Sequence, residues 1–165
     1  MSAAGVQVDI DLTTEWACQA AREALETEAV SLQGAVEVSA PLDDGRVDVR
    51  CRLGATGERA CERCGEPTQV QVVVDALLLF FPEGQAPTGT GEIELDRKDL
   101  DVGWYSEDAI ELSEVVQEAM VLEMPARVVC TDAAECEVRT DKLLKKAQDE
   151  TPSGHPAFAA LRNLN

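Results

Sequence analysis

Six cysteines are the residues of this 165-residue chain whose type and spacing could do chemistry. Two form Cys61-Glu-Arg-Cys64 within "GERACERCGEP", and two more, Cys130 and Cys136, bracket "CTDAAEC" farther along. Zinc takes four soft or borderline ligands in a tetrahedron, and a tight turn presenting two thiolates as C-x-x-C is its usual half-site. Cys130-x5-Cys136 would be the second half, with a wider spacing than the common one. A redox pair is a rival reading, but a thioredoxin-like C-x-x-C opens a helix after a parallel strand. Here "GEPTQVQV" follows Cys64 and alternates as a strand does, which speaks against thiol exchange. A third reading leaves four thiols without metal. Spacing keeps all three open, and ligation of a structural zinc by Cys61, Cys64, Cys130 and Cys136 is the one that employs all four.

No other constellation carries chemistry. Cys18 falls inside a helical pattern and reads as a small buried thiol, while Cys51 lies on the apolar side of an alternating strand. His155 is the one histidine and sits in a Gly-His-Pro turn, a solvent-exposed position with no cysteine to pair with. Neither a Gly-rich phosphate loop nor HExxH, GxSxG or a carboxylate pair with its own context occurs. No catalytic residue is assigned, so the chain reads as a non-enzyme. A cysteine-based redox or zinc-dependent enzyme is the alternative class.

The elements that must position these cysteines follow from periodicity. Val6, Val8, Ile10 and Leu12 alternate with polar residues, giving a strand over 5–12. Trp16, Ala20, Leu25 and Ala29 then recur at near-helical spacing behind Thr13 and Thr14, giving a helix over 14–28. Strands follow over 30–40 and 45–56, joined by "PLDDGR", whose Asp44-Gly45 is a strong hairpin signal. In the second, Val47, Val49, Cys51 and Leu53 face one way and Arg46, Asp48, Arg50 and Arg52 the other. "CERCGEP" is then the turn into a fourth strand over 68–82, which alternates at first and becomes continuously apolar, as a strand does when both faces are covered. Residues 83–92 read as a loop, and one or two short strands precede a helix over 110–123. Its stripe is Leu112, Val115, Val116, Ala119 and Met120, continued by Leu122 or Glu123, and Pro125 ends it. Cys130 and Cys136 fall on an irregular stretch before a polar helix with Lys142, Lys145 and Lys146. Sequential hairpins imply an α+β fold: an antiparallel sheet that can curl toward a barrel, with two or three packing helices. One domain over 1–150 is expected, with a tail over 151–165 containing Phe158, Leu161 and Leu164.

Charge bounds the partners. Fourteen Lys and Arg stand against 32 Asp and Glu, a net charge of -18. A polyphosphate is repelled at long range, so nucleic acid could be met only through a local patch, and a basic protein is the easier partner. Arg46, Arg50, Arg52, Arg59 and Arg63 form the one arginine-rich neighbourhood. Residues 1–15 have neither the basic nor the apolar region of a signal peptide, and the apolar run over 76–82 is far short of the roughly 20 residues that span a bilayer. A cytoplasmic protein without membrane contact is expected, and in a reducing compartment its cysteines are thiols or ligands rather than disulfides.

In this order, "CERCGEP" between strands, "IELSEVVQEAMVLEMP", "CTDAAEC" and the terminal "HPAFAALRNL" resemble the YceD family, the large ribosomal RNA subunit accumulation proteins, over roughly residues 30–165. The resemblance implies a non-enzymatic bacterial factor supporting accumulation of large-subunit ribosomal RNA in ribosome assembly. The partner it implies is a basic ribosomal protein or assembly factor, with ribosomal RNA met indirectly or through the five arginines. Members often carry a fuller downstream cysteine cluster, or a histidine with a cysteine, where this chain has Cys130 and Cys136.

Overall fold

The computed structural model describes residues 5–86, 102–106 and 109–150. Of the loop expected over 83–92, Glu83–Gln85 form a turn of 3-10 helix, while residues 87–92, His155 and the tail over 151–165 lie outside the described residues. The chain gathers into two compact units, one of Met1–Arg59 with Gln69–Ala126 and one of Ala60–Thr68 with Arg127–Asn165.

The first unit is built on five strands in chain order: β1 (Val6–Asp11), β2 (Ala29–Val38), β3 (Val47–Ala60), β4 (Pro67–Pro82) and β5 (Val102–Tyr105). β1 pairs antiparallel with β2, and β2 with β3. The β2–β3 turn is the one expected, with the Leu42 N–H donating to the Arg46 carbonyl at 2.9 Å and Gly45 at φ 82°. β3 shows the predicted two-residue alternation, burying Val47, Val49, Cys51, Leu53 and Ala55. Within the β2–β3 pair, Gly34 is required because a Cβ there would lie 2.2 Å from the Arg52 carbonyl oxygen.

Two expectations about the sheet need correction. It is mixed rather than antiparallel throughout, because β5 runs parallel to β4, with Leu79 opposite Val102. Parallel pairing needs a connection of a dozen or more residues, and β4 and β5 are separated by more than that in the chain. Among the described residues the sheet is also open, ending at β1 and β5, and does not close into a barrel. The apolar end of β4 is half-buried over 78–82 rather than fully covered, and Leu77 is exposed.

Helix α1 (Glu15–Leu25) packs on β1, β2 and helix α2 (Leu112–Leu122). Its buried face is Ala17, Ala20, Ala21, Ala24 and Leu25, a stripe of small residues that lets α2 approach closely. The helix ends at Leu25, with Glu26 left-handed at φ 55°, so Ala29 opens β2 instead of continuing the helical face. Cys18 is only half-buried, its thiol directed at the Leu12 carbonyl at 3.4 Å, which corrects its reading as a core thiol. α2 buries Val115, Val116, Ala119 and Met120 as expected, whereas Leu122 is exposed. Glu111 caps it by accepting from the Ser113 N–H at 3.4 Å, and the same oxygen accepts from the Ser113 hydroxyl at 2.8 Å.

Helix α3 (Ala133–Glu150) belongs to the second unit. It starts before Cys136, so this cysteine stands on a helix and not on the irregular stretch expected. Asp132 supplies the missing start signal, its carboxylate accepting from the Glu135 N–H at 2.9 Å. Beyond Cys136 no residue of α3 is buried, and Val138, Leu143 and Leu144 are exposed.

Candidate metal centre

The first half of the centre is the turn between β3 and β4. The Cys61 N–H donates to the Glu66 carbonyl at 2.8 Å, and the Gly65 N–H returns to the Cys61 carbonyl at 2.8 Å. Gly65 closes this loop at φ 77°, a left-handed conformation that glycine adopts without a Cβ penalty. Both cysteine side chains are thereby aimed to one side and buried.

The second half is tied to the first by two bonds. The Glu62 N–H donates to the Val128 carbonyl at 2.9 Å, and the Glu62 carboxylate accepts from the Val128 N–H at 3.1 Å. Cys130 follows directly, and Cys136 enters from the first turn of α3, held by its N–H to the Asp132 carbonyl at 3.1 Å. All four sulfurs lie within 4.8 Å of one another, with Cys64–Cys130 at 3.5 Å and Cys61–Cys136 at 3.7 Å. A tetrahedron of zinc–sulfur bonds of about 2.3 Å has edges of about 3.8 Å. A disulfide is much shorter, about 2.05 Å, and all six cysteines are free thiols. The four-sulfur donor set and its spacing fit a tetrahedral metal ion.

The electrostatics are those of a site prepared for a cation. The Cys64 N–H, with those of Arg63 and Cys130, points at the Cys61 sulfur and lowers its pKa to about 6. Cys64 is lowered by the Glu66 N–H, then by the Cys130 thiol and the Arg139 guanidinium. Burial acts the other way on the second half, pushing Cys130 up to about 12 and raising Cys136. Four like charges cannot share so small a volume without a counter-charge. Arg139 supplies part of one, its Nη2 donating to the Cys130 sulfur at 3.6 Å while Nη1 holds Glu135 at 3.1 Å. Its own pKa is raised by Cys64 and Cys130.

Of the residues singled out in the sequence, Cys61, Cys64, Cys130 and Cys136 come together. Cys51 is a core thiol, its pKa raised to about 11 by burial. Four of the five arginines are paired with carboxylates: Arg46 with Asp48 at 2.9 Å, Arg50 with Asp75 at 3.1 Å, Arg52 with Glu37 at 3.2 Å and Arg59 with Glu26 at 2.7 Å. Arg63 is exposed and has no such pair among the described residues. Sequence reading missed Arg139, Glu62, Asp132 and Gly65. Arg139 was detectable in principle, since it lies one helical turn beyond Cys136 once α3 is known to begin at Ala133.

The family model for the large ribosomal RNA subunit accumulation protein YceD matches residues 49–165. The chain belongs to the YceD family. The match begins in β3, so β1, α1 and β2 lie outside it, and the YceD-like stretch is shorter at its start than the motifs suggested. It includes the whole four-cysteine cluster. No curated protein and no solved structure matches the chain. Among the described residues no helix is long and apolar enough to cross a membrane.

Proposed function

We propose that this YceD family member supports accumulation of large-subunit ribosomal RNA as a non-enzymatic factor. In this reading it docks a basic ribosomal protein or assembly factor, and Cys61, Cys64, Cys130 and Cys136 hold a structural zinc. The observation that carries the zinc part is the interior of the second unit. Among its described residues only Cys61, Cys64, Thr68, Val128 and Cys136 are buried. Such a core is too small and too sulfur-rich to order the segment by apolar burial, and a metal cross-link is the usual remedy. A zinc ion there would supply a fixed cross-link between the β3–β4 turn and the start of α3. Four protein ligands fill a tetrahedron, which is the pattern of structural sites; catalytic zinc keeps a position open.

The docking part rests on the charge of -18 and on four of the five arginines being neutralised by neighbouring carboxylates. Counterion release from RNA needs unpaired cations, and this favours a basic protein as the direct partner. The test combines metal content with capture. Protein purified without chelator should hold one zinc per chain, lost in Cys61→Ser and in Cys136→Ser, and should retain basic ribosomal proteins at low ionic strength but not at high. Well-folded protein free of zinc would remove the clip, and indifference to basic ribosomal proteins at low salt would remove the docking role.

A further inference from the structure

β1 lies at the end of the sheet, and among the described residues no strand pairs with its outer side. An edge strand offers a row of free N–H and C=O groups, and natural sheets protect such rows with lysine, proline, a bulge or a covering element. β1 reads VQVDID and has neither lysine nor proline. Its register with β2 runs without a shift from Val6 opposite Val38 to Asp11 opposite Gln33. Val6, Gln7, Asp9 and Asp11 are exposed. Asp11 is engaged locally, its carbonyl accepting from the Thr14 N–H at 3.0 Å and its N–H donating to the Thr14 hydroxyl at 3.4 Å, so the template for another chain is the part from Val6 to Ile10.

Charge decides which chain fits. Gln7, Asp9 and Asp11 alternate onto the polar face of the sheet. On β2, β3 and β4 of that face Glu37 is neutralised by Arg52, Asp48 by Arg46, and Asp75 by Arg50 and Arg52, while Glu58 near the far end of β3 has no cation among the described residues. Asp9 and Asp11 have no cation among the described residues. Asp9 accepts from the Gln7 amide at 2.8 Å, and Asp11 from the Thr13 N–H at 2.7 Å and hydroxyl at 2.6 Å. Among the described residues the edge strand therefore carries two adjacent uncompensated carboxylates on this face, where the neighbouring part of β2, β3 and β4 is neutralised. A second copy of β1 would bring aspartates against aspartates, which disfavours self-pairing. A strand with lysine or arginine at alternate positions would bring cations to them and complete the ladder.

We infer that β1 is the docking edge for an extended, lysine- or arginine-alternating segment of a basic protein, which adds to the sheet as a sixth strand. The inference rests on the basic-partner reading above and gives that partner a place and a conformation. Val6 to Ile10, the part of β1 not engaged by Thr14, corresponds to a paired length of about 17 Å.

A synthetic peptide of alternating lysine and valine, long enough to span β1, is the probe. Its control is the same sequence N-methylated at alternate residues, which keeps the charge and removes the ladder donors. Titration by fluorescence anisotropy should show binding of the first peptide and not the second. Amide exchange of residues 6–10 should slow in the bound protein, and Asp9→Lys should weaken binding about tenfold. Asp9→Asn, isosteric and exposed, should give a smaller loss and serves if Asp9→Lys impairs folding. Equal binding of both peptides, or binding with unchanged exchange in β1, overturns the docking edge while leaving a basic partner in place. Failure of both peptides to bind at low salt overturns the edge and counts against the basic-partner reading as well.

Discussion

Arg139 is the residue whose role can be separated most sharply from folding. Four thiolates with one divalent ion carry a net charge of about -2, and the guanidinium beside Cys130 and Cys64 offsets part of it. Arg139→Gln should lower zinc affinity about 10- to 100-fold in chelator competition, with Arg139→Lys intermediate because a point charge replaces the planar fork. An Arg139→Gln chain that holds zinc as tightly as wild type would show that the arginine serves only Glu135. Gly65→Ala should cost about 1–2 kcal/mol, measured by denaturation of the zinc-loaded protein, since φ 77° places a Cβ against the following carbonyl.

The same residues give the metal-free chain a defined response to pH. Cys61 titrates near 6, below an unfolded thiol, so its thiolate contributes stability above the ordinary thiol range, and that contribution is lost as pH falls through about 6. Cys130 is shifted the other way, to about 12, and Cys136 is also raised. Their neutral thiols favour the folded form below the ordinary thiol range, an advantage lost as pH rises above it. Zinc uptake near pH 7 should therefore release protons chiefly from Cys130 and Cys136, and apparent affinity should fall as pH falls. Calorimetry in buffers of different ionisation enthalpy reads the proton count; uptake without proton release would contradict these assignments.

Among the elements, α2 is a clean case of legible amphipathicity. Met120 has no exposed surface, whereas Leu122 is 73% exposed. Met120→Ala should destabilise by about 2–5 kcal/mol in urea unfolding, while Leu122→Ala should stay within about 0.5 kcal/mol. The stripe through Val115, Val116, Ala119 and Met120 was readable because a helix of 3.6 residues per turn repeats its buried face. α1 was harder. Its buried face is mostly alanine, which periodicity reads weakly, and Trp16, the residue that drew attention, is only half-buried. The start of α3 was missed for another reason. Asp132 and Glu135 form a capping pattern, but the second cysteine pair straddles it and invites a loop reading.

At the scale of the whole molecule, the two units differ in what orders them. The first has an aliphatic interior that includes Ile10, Leu25, Val36, Val49, Val72 and Val116; the described part of the second has little besides sulfur. Chelation should accelerate amide exchange over residues 60–68 and 127–136 while β2, β3, α1 and α2 keep their protection. A uniform loss across both units would show that the metal orders the entire chain. The net charge of -18 also makes any basic partner salt-sensitive, since exposed charges are screened beyond about 8–10 Å at physiological ionic strength.

Sequence by itself marked the four cysteines as two candidate half-sites, and determined the alternating strands around Asp44-Gly45, the α2 stripe and the family motifs. Each is written in local spacing, with period two, period 3.6 or a C-x-x-C turn, and local spacing survives without coordinates. Only the tertiary structure decided that β5 joins parallel, that the sheet stays open, and that Arg139 reaches the sulfurs. It also showed that among the described residues Asp9 and Asp11 have no cation while Glu37, Asp48 and Asp75 are paired with arginines. These depend on which residues far apart in the chain become neighbours, and no periodicity within one segment encodes a neighbour supplied by another.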